Sequence, residues 1–95
     1  MPHGTSLYDF AMVLDVQPHE SEARWEAAVR AATPPAGWRV TIRRPTVLIF
    51  VAEDVHEITA IGRAEDWLKD IAARMMPPVE IKTNAQPSNL SLIHI

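Results

Sequence analysis

A chain of 95 residues with 47% hydrophobic and 22% charged residues reads as one soluble globular domain with a small core, which argues against a disordered chain. It contains no cysteine, so disulfide staples, thiolate metal sites and cysteine nucleophiles are excluded. The formal charge of −3 supplies no pull toward phosphate backbones or anionic lipid.

No apolar run approaches the ~20 residues that span a bilayer. The opening "MPHGTSLYDF" lacks the basic-then-apolar layout of a signal peptide. The expectation is a cytoplasmic protein with neither nucleic acid nor membrane as partner.

Prolines 18, 34, 35, 45, 77 and 78 fall between periodic segments, where a missing N–H does least harm. In "YDFAMVLDV" (Tyr8 to Val16), Phe10, Met12, Leu14 and Val16 share one side and Asp9, Ala11, Val13 and Asp15 the other, which is strand periodicity. "SEARWEAAVRAA" opens on Ser21, a candidate N-cap, and repeats Trp25, Ala28, Val29 and Ala32 at helical spacing. "TPPAG" ends that helix. "WRVTIRR" alternates Trp38, Val40 and Ile42 against Arg39, Thr41 and Arg43, a strand with one buried face. "TVLIFVA" is apolar throughout Val47 to Ala52 and suggests a central strand covered on both faces. "RRPT" joins these two strands as a hairpin.

The segment 54–75 starts with Asp54 and Glu57 at capping-box spacing and runs Ile58, Ile61, Leu68, Ile71, Ala72 and Met75 at helical period. Gly62 in its middle reads as a close-packing point against the sheet, with a helix broken there as the fallback. "VEIKT" forms a last short strand, with Val79 and Ile81 inward. The order β-α-β-β-α-β, with right-handed crossovers, predicts an α+β fold. It is a split-βαβ (ferredoxin-like) sandwich of a four-stranded antiparallel sheet, order 4-1-3-2, with two helices on one face. That arrangement hosts many unrelated activities and does not name one.

The last six residues, "LSLIHI", match the in-frame translation of "CTG TCT CTT ATA CAC ATC", the transposon-end adapter of sequencing libraries. Residues 1–89 are therefore read as a single domain, truncated at its carboxy end if the gene runs off its contig. Residues 90–95 are read as adapter read-through outside the fold, and His94 is not counted as a ligand.

Of the other histidines, His3 lies near the start and His19 in a turn. His56 sits beside Glu57 on a helix start, where neighbouring side chains point about 100° apart and do not converge on a ligand. Asp9 and Asp15 are roughly 20 Å apart along a strand, too far to act on one bond. The chain has no G-x-S-x-G, HExxH or phosphate-cradling glycine loop. No catalytic, cofactor or metal residue is assigned. Trp25 and Trp38 fall on core faces, and Trp67 lies beside one, as cover for a sheet edge or contact for a partner.

The open face of the sheet carries the functional expectation. With an even hairpin loop, Leu48, Phe50 and Ala52 face outward beside Ala11 and Val13, and an odd loop presents Val47, Ile49 and Val51 instead. Arg39, Thr41, Arg43, Glu80 and Lys82 frame either set. An apolar centre in a polar rim is the pattern of an interface. The candidate interface is accordingly Ala11, Val13, Leu48, Phe50, Arg39 and Thr41. It points to a non-catalytic module that associates with itself or a protein partner. The alternative is a small dimeric enzyme or ligand-binding domain with a pocket between sheet and helices. RNA binding ranks below both, since only Phe50 could stack on a base.

Overall fold

The computed structural model describes residues 7–53 and 56–87; His3, Asp54, His94 and the segment 90–95 lie outside them. The elements are β1 (Leu7–Gln17), a single 3-10 turn (His19–Ser21), α1 (Glu22–Ala31), β2 (Arg39–Arg44), β3 (Val47–Glu53), α2 (Glu57–Arg74) and β4 (Glu80–Pro87). All strand pairings are antiparallel, in the order β2-β3-β1-β4, which is 4-1-3-2 read from the opposite edge. β1 and β3 are central. No helix among the described residues is long and apolar enough to cross a membrane.

Alternation decides the layers. In β1 the even-numbered residues Phe10, Met12, Leu14 and Val16 are buried, as are Leu48, Phe50 and Ala52 of β3. Trp25 and Val29 from α1 and Ala60, Ala64, Leu68, Ile71 and Ala72 from α2 close over them in one core cluster. Both helices therefore cover the same side of the sheet. Five of the six aromatic rings meet there. Phe10 stacks on Phe50 at 5.2 Å between centroids, and Tyr8 on Phe10 at 5.2 Å. Trp38 and Trp67 each meet Phe50 edge-on at 6.0 Å. Rings offset or edge-on in this way add to the burial of their area.

The hairpin corrects the expected outward pair. Its turn, Pro45 and Thr46, holds two residues, yet β2 carries a bulge at Arg43, between the pairs Ile42↔Leu48 and Arg44↔Val47. One extra residue on a strand shifts the alternation of everything beyond it. Leu48 and Phe50, expected on the open face, are therefore both 0% exposed beneath the helices, where they pair across from Ile42 and Val40.

Local details differ from the sequence reading elsewhere too, and Ile58, expected on the apolar stripe of α2, is 85% exposed. Ser21 does hold the N-cap position of α1, but its hydroxyl makes no cap bond; it accepts from Arg24 Nη2 at 3.4 Å. The α2 helix starts at Glu57 with His56 as N-cap, three residues later than the expected Asp54 start, and without a side-chain cap. It runs unbroken through Gly62, where an added Cβ would meet nothing within 4 Å, so this glycine is not a close-packing point. β4 continues past Thr83 to Pro87, because long β1 offers pairing partners as far as Phe10.

Arg24 also ties the two helical connections together. Its guanidinium donates to the carbonyls of Met76 and Pro77 at 3.3 and 3.2 Å, on the link from α2 to β4. Trp25 is fully buried, and its indole N–H has no partner among the described residues.

Candidate functional site

The sheet face away from the helices is built in rows by strand register. The first row is Arg39–Val51–Asp9, the second Thr41–Ile49–Ala11–Gln86, and the third Arg44–Val47–Val13–Asn84. Beyond them Asp15 pairs with Lys82 and Gln17 with Glu80 on the β1–β4 ribbon. Residues facing each other across antiparallel strands share a face. Val47, Ile49, Val51, Ala11 and Val13 therefore form one contiguous apolar patch on the two central strands. Val13 is 40% exposed. Arg39, Thr41 and Arg44 border the patch on β2, and Asn84 and Gln86 on β4; all five are exposed.

Four of the six residues assigned from sequence, Ala11, Val13, Arg39 and Thr41, stand on this face. Leu48 and Phe50 do not. The missing centre is supplied by Val47, Ile49 and Val51, the set tied to an odd hairpin. Asn84 and Gln86 were not anticipated because the last strand was expected to span only "VEIKT"; their signal is the uninterrupted length of β1, which needs a partner beyond Thr83.

At one corner of the face, Gln17 Nε2 lies 3.2 Å from Asp15 Oδ2 and 2.8 Å from His19 Nε2, and His19 Nε2 lies 3.3 Å from Asp15 Oδ1. A hydrogen bond donated by the Gln17 side-chain amide holds the Asp15 carboxyl below its ordinary range against some desolvation, helped by the hydrogen bond and charge of His19 and by Lys82. The group is exposed, and it reads as a solvated strand end. Among the described residues no three of His, Asp, Glu and Cys gather as a metal-ligand set.

On the other side of the sheet, a cavity of about 460 Å³ opens between α1, α2 and β2, lined by Val29, Ala32, Val40, Ile42 and Trp67 among others. Trp67 donates its indole N–H to the Thr33 carbonyl at 3.0 Å, so its ring belongs to the wall of the domain. Arg30 is the one charged side chain of that lining, and Glu26 holds it at 2.7 Å.

No family model, curated protein or solved structure matches the chain.

Proposed function

We propose that the domain is a split-βαβ, ferredoxin-like unit that acts as a non-catalytic association module, and that its partner is a second copy of itself. One observation carries the reading: five apolar side chains, Ala11, Val13, Val47, Ile49 and Val51, lie side by side on a sheet face that neither helix covers. Among the described residues nothing else covers that patch. A self-complementary pairing buries it twice with a single set of residues. The surroundings support this, since Arg39 and Arg44 lie on β2, Asn84 and Gln86 on β4, and Asp9 and Asp15 at either end of the patch on β1. A nucleic-acid partner is disfavoured, because Phe50 lies under the helices and no aromatic ring is left on the face. The enzyme reading would draw on a cleft such as the one between α1, α2 and β2 beside Trp67. There, no acid–base pair converges, and the single cation is already engaged by Glu26.

Size sets the strength to expect. Four strands about 4.8 Å apart and three rows about 6.8 Å apart give roughly 400 Å² per copy. That is short of the ~800 Å² per partner of a standard interface. The dimer should therefore be weak and concentration-dependent. Light scattering coupled to size exclusion is expected to show mass rising toward that of a dimer as the chain is loaded more concentrated. Ile49→Glu should give a monomer with an unchanged circular dichroism spectrum. A wild-type monomer throughout the micromolar-to-millimolar range would overturn the reading.

A further inference from the structure

Resting on that self-association, the geometry points to one particular dimer: we propose that the two sheets stack about a two-fold axis running parallel to the strands, between β3 and β1. Face-to-face sheets related by a two-fold need the axis in the plane between them. Within that plane the patch offers two simple choices, along the strands or across them.

An axis along the strands keeps every row at its own level and exchanges the two sides of the sheet. Ile49 then lies over the partner's Ala11 and Val47 over the partner's Val13. At the rim, Thr41 meets the partner's Gln86 and Arg44 meets the partner's Asn84. Apolar faces apolar, and polar faces polar. No like charges oppose each other. Asp9 lies over the partner's Val51, one strand away from the partner's Arg39.

An axis across the strands keeps each strand over itself and reverses the order of rows. Set on the Ile49 row it lays Arg39 over the partner's Arg44; set between the Ile49 and Val47 rows it avoids that. Ala11 and Val13 still face each other, as do Ile49 and Val47. But Asp9 then lies over the partner's Asp15, twice by symmetry. Val51 lies over the turn before β3 and loses its apolar cover. Opposed carboxylates at a partly dried interface are disfavoured, and such repulsion is what selects among geometries of similar area. The rows themselves are fixed by register. The choice therefore follows from where the charges sit.

The test uses two exposed rim positions on opposite edges of the sheet, which are too far apart to pair within one chain. Thr41→Glu, Gln86→Lys and the double variant are compared with the wild-type chain by analytical ultracentrifugation. Along the strands, each single change faces a neutral side chain and should alter the dissociation constant less than about threefold. The double variant gains two symmetric ion pairs and should dimerise roughly tenfold more tightly at low salt. That gain should fade at high salt.

The crosswise dimer predicts a different outcome. There Thr41→Glu alone faces the partner's Arg44 and tightens the dimer, while Gln86→Lys adds nothing to it. Either that pattern, or the absence of coupling between the two positions, overturns the proposed axis. If Ile49→Glu still dissociates the dimer, the association reading survives that result. A chain that never dimerises removes both.

Discussion

At the scale of single residues, Gly62 separates what a sequence states from what it only permits. A glycine inside a helical period has two explanations, close approach or tolerated cost, and they look identical in one chain. The structure gives open space at that position, inside a continuous α2. Replacing it with alanine should then remove backbone freedom from the unfolded chain and clash with nothing. Gly62→Ala is expected to raise stability by about 0.5–1 kcal/mol, measured by urea denaturation. A loss of stability would mean that some neighbour needs the space. Ser21 teaches the same lesson in reverse. Its identity and position are those of a cap, but Arg24 occupies its hydroxyl, and a partner three residues away was not legible from cap statistics.

At the scale of elements, the legible parts were those set by periodicity. β1 alternates cleanly, and its buried set is the one its pattern implies. The same holds for Trp25 and Val29 on α1 and for Leu68, Ile71 and Ala72 on α2. Strand β3 was legible as a strand, but its facing was not, because its two alternating sets are both apolar. Facing had to come from its neighbour, where Val40 and Ile42 oppose Arg39 and Thr41. It also depended on a bulge at Arg43 that leaves no mark in composition.

The consequence is measurable within one strand. Phe50→Ala empties a site that is 0% exposed among aromatic rings and should cost about 3–5 kcal/mol. Ile49→Ala, one residue away on the uncovered face, should cost less than about 1 kcal/mol in the monomer. Equal losses in dilute urea titrations would contradict the facing of the strand. Most of the candidate surface was thus readable as a surface, while the identity of its central side chains was not.

For the whole molecule, the decisive fact is that both crossovers fall on one side. The two helices and the helix-facing half of the sheet make a single core, and Arg24 clips the start of α1 to the loop leading into β4. Nothing in the chain's described residues is left to cover the other half. If the chain dimerises through that half, as proposed, folding is linked to association by mass action. The thermal midpoint of the wild-type chain should therefore climb with protein concentration, while that of Ile49→Glu should stay constant. A wild-type midpoint independent of concentration would count against any functional pairing of the face.

The two-sided character of β3 reaches back to the chain before it folds. Val47 to Ala52, "VLIFVA", is a six-residue window without charge, proline or glycine, rich in β-branched residues, and of the kind that seeds cross-β stacking when exposed. Arg43, Arg44 and Pro45 stand immediately upstream and Glu53 immediately downstream. In the nascent polypeptide these flanks serve as gatekeepers: repulsion on both sides, and a missing N–H on one, discourage neighbouring chains from adding to the segment before its own partners arrive.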